Sequence, residues 1–229
     1  MSQRDLKVVV IGAGMAGILA GIKLREAGIT DVTIYEKADR IGGTWRENTY
    51  PGLTCDTPSH HYTYSFERNP DWSRYLPPGG EIQQYFERVT EKYGLYDFIR
   101  FNEEATTAEF LDGRWQLTFN SGLRDSADLL IAATGVLHVP KLPDIPGIND
   151  FEGAIFHSAR WDHSVPLDGK RIGVIGNGST GVQIVSALVE KAALLEHYQR
   201  TPQWIMPVDN TPYTAEQRAS FRDPAVLDA

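Results

Sequence analysis

The stretch VVVIGAGMAG, Val8 to Gly17, decides the fold. Four β-branched residues in succession suit a short strand buried on both faces. The glycines that follow, Gly12, Gly14 and Gly17, stand at the spacing G-x-G-x-x-G. At that spacing the first glycine makes a tight turn, the second lets backbone N–H groups approach a phosphate, and the third lets the next helix pack closely on the strand. Outward from the loop, a helix-like run continues to Ala27 and stops at Gly28, and DVTIYE, Asp31 to Glu36, reads as a second strand. One such loop is weak ground, because glycine-rich turns also join strands to helices for purely steric reasons.

The pattern occurs twice. KRIGVIGNGSTG, Lys170 to Gly181, repeats the strand and the turn with Gly176, Gly178 and Gly181, and LLEHYQR, Leu194 to Arg200, closes the repeat as another strand. In each copy the strand-end residue follows the third glycine by the same interval, 36 − 17 = 19 and 200 − 181 = 19. That residue sits where the adenosine ribose of a bound dinucleotide lies. Glu36 accepts hydrogen bonds from ribose hydroxyls and repels a 2′-phosphate, whereas Arg200 makes charge-assisted bonds to that phosphate. The first loop therefore suits FAD or NAD and the second NADP, the alternative for Arg200 being a solvated strand-end arginine.

The predicted fold is α/β, with two Rossmann-like dinucleotide-binding domains, the first for FAD or NAD and the second for NADP. Residues 1–139 form the first domain, which is the FAD-binding part if the loop takes a flavin, 140–150 a linker with Pro140, Pro143 and Pro146, and 151–229 the first part of the NADP-binding domain. Within the first part, EIQQYFERVTEKYG sets Ile82, Tyr85, Phe86, Val89 and Tyr93 on one helical stripe with Gly94 at its end. AEFLDGRWQLTF reads as a hairpin turned by Asp112-Gly113, and DLLIAATG as a buried parallel strand. After Arg200 no third parallel strand is legible.

Charge and cysteine count narrow the function. Lys+Arg 22 against Asp+Glu 30 gives a net charge of −8, which lacks the basic footprint needed for nucleic acid or an anionic membrane. Cys55 is the only cysteine; it excludes an intramolecular disulfide, a thiolate metal site and a redox cysteine pair, and points to a cytoplasmic location. Adjacent His60 and His61 diverge and make a poor metal pair, so no metal is expected. No apolar run is long enough to span a bilayer, and the glycine spacing explains the apolar N-terminus better than a signal peptide does.

The segment FEGAIFHSARWD places Phe151, Gly153, His157, Trp161 and Asp162 at fixed spacing between the two loops. With GGTWRENTYPGLTCD at 42–56, AATG at 132–135, GNGSTG at 176–181 and QRTP at 199–202, it resembles the type I Baeyer–Villiger monooxygenases, relatives of the flavin-containing monooxygenases. The resemblance covers nearly the whole chain. It implies an enzyme that uses FAD, NADPH and O2 to insert one oxygen atom beside a ketone carbonyl, giving an ester or lactone. A flavin monooxygenase acting on nitrogen or sulfur, or a noncatalytic nucleotide-binding remnant, are the alternatives.

Carried over by resemblance, Gly12, Gly14, Gly17, Glu36 and Gly43 hold the FAD pyrophosphate and ribose. Thr44, Trp45, Asp56 and Tyr62 lie nearer the flavin, Asp56 as a catalytic residue, Thr54 is a further cofactor-binding residue, and the backbone of Ala105 meets the adenine. Gly176, Gly178, Ser179, Thr180, Gly181, Arg200 and Thr201 hold NADPH. Asp56 lies by the flavin and nicotinamide, with a turn cap in CDTPS as its bland reading; His157 and Trp161 couple domain position to catalysis, with a structural hydrogen bond and apolar cover as theirs. Members of the family are much longer, so the resemblance implies that the FAD and NADP domains are both incomplete in this chain, and a truncated product or a second chain supplying the missing C-terminal half is expected.

Overall fold

A computed structural model describes residues 6–227 of the chain. Its elements run β1 (Val8–Ile11), α1 (Met15–Glu26), β2 (Val32–Tyr35), α2 (Thr44–Glu47), α3 (Gly79–Lys92), β3 (Ile99–Arg100), β4 (Ala105–Leu111), β5 (Arg114–Phe119), β6 (Arg124–Ala127), β7 (Leu129–Ala132), β8 (Arg171–Ile175), α4 (Ser179–Leu188), β9 (Leu194–Tyr198), α5 (Ala215–Ser220) and α6 (Pro224–Leu227). The chain divides into two compact units with boundaries after Arg46, Ile82 and His138.

The first unit holds the residues up to Arg46 together with Gln83–His138. Its parallel sheet has the order β3-β2-β1-β7. Val8, Val9 and Val10 are fully buried at its centre, as a β-branched run without polar alternation requires. Asp112 (φ 50°) and Gly113 (φ 79°) turn the β4–β5 hairpin, both at the positive φ that a two-residue type I′ connection demands, and β6 completes an antiparallel three-stranded sheet. Val9 and Tyr35 from the parallel sheet pack with Leu117, Phe119 and Ala127 from the hairpin sheet, the rings of Tyr35 and Phe119 lying 4.1 Å apart. Helix α3 buries Ile82, Tyr85, Phe86 and Val89 as the stripe predicts. Tyr93 falls beyond its last turn and is only half-buried, and Gly94 takes φ 60°.

The second unit joins Glu47–Ile82 to the residues from Val139 onward. This differs from the sequence reading, which leaves residues 47–82 inside the first domain. The segment has little regular structure with which to bury its own apolar residues, so Tyr50 and Leu53 pack instead with Ile184 and Leu188 of α4 and with Ile172, Val174 and Leu195 of the sheet. Asn210 adds a two-way bond to Leu76, accepting from its N–H at 2.8 Å and donating to its carbonyl at 3.0 Å. β8 and β9 pair in parallel, and no further strand joins them among the described residues. The prolines of 140–146 lie outside any strand. Exposed apolar side chains concentrate at Val136, Leu137 and Val139 and at Trp204, Ile205 and Met206. Among the described residues no helix is long and apolar enough to cross a membrane, and no group of three or more His, Cys, Asp or Glu is placed to hold a metal ion.

One polar cluster links the two sheets of the first unit. The Asp125 carboxylate accepts from Lys7 Nζ and from the Tyr35 hydroxyl, the latter at 2.8 Å. Burial alone would raise the Asp125 carboxyl, but these bonds outweigh it and hold it below the ordinary aspartate value. Burial and the neighbouring carboxylate push the Tyr35 hydroxyl up. A depressed folded-state value means that the stabilisation is present above the unfolded value of about 3.9 and is lost as pH falls through the folded one. Asp125→Ala should therefore cost about 1–3 kcal/mol at pH 7, for a buried donor left unsatisfied. Its deficit against the unsubstituted chain should shrink below about pH 4, as read by urea unfolding at the two pH values.

Candidate functional site

In the first loop Gly12 takes φ 101° and donates its N–H to the Tyr35 carbonyl at 2.7 Å. A Cβ on Gly12 would fall 2.5 Å from the Ala133 carbonyl oxygen, and one on Gly17 would fall 1.8 Å from that of Gly12; both positions require glycine. A second glycine pair closes on the loop: Gly42 donates to the Ala13 carbonyl at 3.0 Å, and a Cβ on Gly14 would touch the Cα of Gly43 at 3.6 Å. Buried Gln83 anchors this pair by donating to the Ile41 carbonyl at 3.1 Å. The result is a cradle of backbone with almost no side chain on it, the surface that a pyrophosphate needs.

Glu36 is buried at the end of β2. Its Oε2 accepts from the Ala13 N–H at 2.8 Å, and its Oε1 from the Ala38 N–H and the Arg46 guanidinium at 3.0 Å each. A carboxylate offers about four lone-pair directions, so these three donors leave capacity for one more, such as a ribose hydroxyl. Thr44 is exposed and Trp45 half-buried on α2, and Ala105 opens β4 beside the Tyr35–Phe119 cluster.

The second loop has the same frame and a different lining. Gly176 (φ 108°) donates to the Tyr198 carbonyl at 2.9 Å, and a Cβ on Gly181 would lie 2.0 Å from the Gly176 carbonyl oxygen. Nothing lies within 4 Å of where a Cβ on Gly178 would be. Gly178 caps α4 with no side-chain bond, which leaves N–H donors free at the positive end of the helix. Arg200 and Thr201 are exposed.

Residues 50–56 are built onto α4. The Gln183 carboxamide donates to the Thr54 carbonyl at 3.0 Å and accepts from the Thr54 N–H at 3.4 Å and from the Tyr50 hydroxyl at 3.0 Å. Tyr50 also meets the Thr180 hydroxyl at 3.2 Å, and Ser179 donates to Asp56 Oδ2 at 2.9 Å. Thr54, expected to bind a cofactor, and Asp56, expected by the flavin and nicotinamide, are thus placed with the second glycine loop. Asp56 binds across 123 residues of sequence, in contrast to the local turn-cap reading. Tyr62 is half-buried in a turn closed on Pro58.

The segment FEGAIFHSARWD meets the same helix through Trp161. The Phe151 ring occupies the space of a side chain at 153, 2.6 Å from an ideal Cβ there, which accounts for the Phe-x-Gly spacing. His157 Nδ1 accepts from the Ala159 N–H at 3.1 Å and caps the short turn Ser158–Arg160. Trp161 meets Phe156 edge-on at 5.0 Å and packs with Tyr50, Ile184 and Leu188. The sequence reading missed Arg46, Tyr50, Gln83 and Gln183. Tyr50 and Arg46 lie within the quoted GGTWRENTYPG, but nothing in their spacing signals a partner.

The profile of the flavin-binding monooxygenase-like family matches residues 5–216. The chain is 54% identical over 222 residues to an uncharacterized monooxygenase of Mycobacterium tuberculosis, a match that covers 97% of this chain and 45% of that protein. It is 43% identical over 221 residues to a Baeyer-Villiger monooxygenase of Streptomyces coelicolor, covering 95% and 42%. Cyclohexanone monooxygenase from Rhodococcus sp. Phi1 bound to NADP+ superposes with a TM-score of 0.86 at 39% identity, covering 95% of this chain and 42% of that one. The OTEMO complex with FAD and NADP gives 0.88 at 37%, covering 95% and 43%. The chain spans less than half the length of the relatives it matches. In each of these the matched region is part of one longer chain, which gives no support to a separate chain that supplies the remainder.

Two glycines of the second loop should respond to alanine by very different amounts. Gly181→Ala forces a methyl group onto the Gly176 carbonyl oxygen and should destabilise by more than about 3 kcal/mol. Gly178→Ala meets open space at an extended backbone angle and should cost about 1 kcal/mol or less. Chemical denaturation of both variants checks the contrast.

Proposed function

We propose that this chain, which belongs to the flavin-binding monooxygenase-like family, carries the FAD and NADPH loops of a Baeyer–Villiger monooxygenase that oxidises a ketone to an ester or lactone. One oxygen atom of O2 enters the product and the other leaves as water, with electrons from NADPH. The observation that carries this reading is the contrast between the two loops. One ends at a buried Glu36 with capacity for one more donor, the other at an exposed Arg200 beside an open helix N-terminus.

The residues fit the groups. Gly12, Gly14, Gly17 and Gly43 supply the side-chain-free cradle for the FAD pyrophosphate, Glu36 takes a ribose hydroxyl, and Ala105 meets the adenine. Thr44, Trp45 and Tyr62 are assigned toward the flavin, and Thr54 and Asp56, which bond to Gln183 and Ser179, toward the nucleotide of the second loop. At the second loop the free N–H groups at the N-terminus of α4, in the turn that carries Ser179, Thr180 and Gly181, receive the NADPH pyrophosphate, and Arg200 with Thr201 receives the 2′-phosphate. FAD, when bound, supplies the redox chemistry that activates O2, and NADPH supplies the hydride. The protein's task is to orient both and exclude water. His157 and Trp161 serve as positioning residues: one caps the turn and the other packs with α4, whose N-terminus forms the loop. Buried, unpaired Cys55 agrees with a cytoplasmic setting.

The test has two parts. The purified chain should bind FAD saturably by quenching of flavin fluorescence, and Glu36→Arg should abolish that binding. Arg200→Ala should weaken binding of the 2′-phosphorylated nucleotide by roughly tenfold to a hundredfold, as expected for lost hydrogen bonds to a charged group, with the unphosphorylated one nearly unchanged. Equal losses for both overturn the assignment. Lactone formed from cyclohexanone, measured beside NADPH consumed in a form extended to the length of the relatives, tests the oxygenation; in that form, NADPH oxidation that yields only hydrogen peroxide counts against it.

A further inference from the structure

We propose that Asn177 is a specificity-determining residue, whose carboxamide staples the second glycine turn to the strand end that bears Arg200 and so sets the preference for a 2′-phosphorylated nucleotide. The inference deepens, and rests on, the reading of Arg200 as the phosphate contact.

The two loops join their glycine turns to their strand ends in opposite directions. In the first loop the residue between the leading glycines is Ala13, and its N–H is taken by the strand-end side chain, Glu36 Oε2, at 2.8 Å. In the second loop Asn177 occupies that position and Arg200 the strand end. A guanidinium has donors only and no acceptor, so Arg200 cannot repeat the Glu36 bond. The connection runs the other way: Asn177 Nδ2 donates to Gln199 Oε1 at 2.9 Å and to the Thr201 carbonyl at 2.7 Å. A backbone carbonyl only accepts, which fixes the carboxamide with its nitrogen toward Thr201.

These two anchors bracket Arg200 on both sides in sequence. The Gly176 N–H to Tyr198 carbonyl bond, 2.9 Å, fixes the strand one step earlier. The His197 ring nitrogen Nε2 meets the Gly176 carbonyl at 2.8 Å as well; beyond Thr201 the chain is exposed through Asp209 and forms no regular element until α5, so among the described residues Asn177 supplies the side-chain link from residues 199–201 themselves to the glycine turn. The Arg200 side chain itself is exposed and takes part in no hydrogen bond or ion pair among the described residues. A long, free arginine loses conformational freedom when it binds. A fixed backbone beneath it lowers that cost only for a ligand that Arg200 touches. A nucleotide without the 2′-phosphate gains nothing from the staple.

The experiment is calorimetric titration of the full chain with NADP+ and NAD+ in four forms: unsubstituted, Asn177→Ala, Arg200→Ala and the double variant. Asn177→Ala should weaken NADP+ by roughly threefold to tenfold, the range for one or two ordinary hydrogen bonds, and leave NAD+ within about twofold. In the Arg200→Ala background it should have no further effect on the ratio, because the staple acts through Arg200. Equal weakening of NADP+ and NAD+ by Asn177→Ala, a pattern that a merely structural staple gives, overturns the inference. So does an unchanged ratio in Asn177→Ala while Arg200→Ala abolishes the preference; in that case the Arg200 reading survives alone. A preference that persists in Arg200→Ala, or binding of neither nucleotide by the unsubstituted chain, overturns the Arg200 reading and the staple with it.

Discussion

At Gly17 a Cβ would stand 1.8 Å from the carbonyl oxygen of Gly12, and at Gly181 one would stand 2.0 Å from that of Gly176. Helix and strand meet at a distance that no side chain permits, because real Cβ atoms do not approach an oxygen nearer than about van der Waals contact. That approach places the first turn of the helix directly at the carboxyl end of its strand. The unbonded N–H groups of the helix then converge with the strand end on one small region. Everything that distinguishes the two loops is added to this common frame.

The additions differ in kind. Around the first loop the space is filled: Gly42 and Gly43 close on Ala13 and Gly14, Gln83 holds the pair from α3, and Arg46 reaches back to a buried Glu36. Taking a lone carboxylate out of water is costly, and a guanidinium with two N–H donors offsets that cost. The glutamate is thereby fixed as an acceptor before any ligand arrives. Around the second loop the space is open, and the charged residue is one that tolerates exposure. Arginine keeps its charge at any ordinary pH and needs no burial to present a fork of donors to a phosphate. A buried acceptor and an exposed donor are each suited to a different ribose edge.

Much of this was legible in the sequence because it is local. The spacing of three glycines, the change from a β-branched run to a helical one, and the Asp112-Gly113 turn act over a few residues, and the backbone angles agree with them. The strand at 129–132 was legible as a parallel strand from its apolarity, but the burial expected of it was not found: it lies at the edge of the sheet, with Leu129 exposed and Leu130 and Ile131 half-buried. The grouping of residues 47–82 with the second unit was not. It depends on pairs such as Tyr50 with Gln183 and Asp56 with Ser179, separated by 133 and 123 residues, and no periodicity marks a glutamine that will bond to a distant peptide group. The stitch from Asn177 was equally silent, because an asparagine in a glycine turn is ordinary turn chemistry until its partners are known.

Gly52, with φ 81°, lies so close to α4 that a Cβ would meet the Gln183 carbonyl oxygen at 2.6 Å. Two residues later the Gln183 carboxamide faces the N–H and carbonyl of Thr54 as a neighbouring strand would. On the same helix Trp161 packs with Ile184 and Leu188 together with Tyr50. Three sequence signatures that look independent, the aromatic-Pro-Gly run, the glutamine two residues past the second glycine loop, and the tryptophan of FEGAIFHSARWD, are therefore parts of one packing arrangement. What they share is α4, and what α4 carries at its N-terminus is the glycine loop. A large aromatic packed with the body of a helix restrains the tilt of its first turn, because a close-packed interior cannot deform continuously. Trp161 packs with Ile184 and Leu188, about one and two turns along the helix from the N–H groups of residues 178–181.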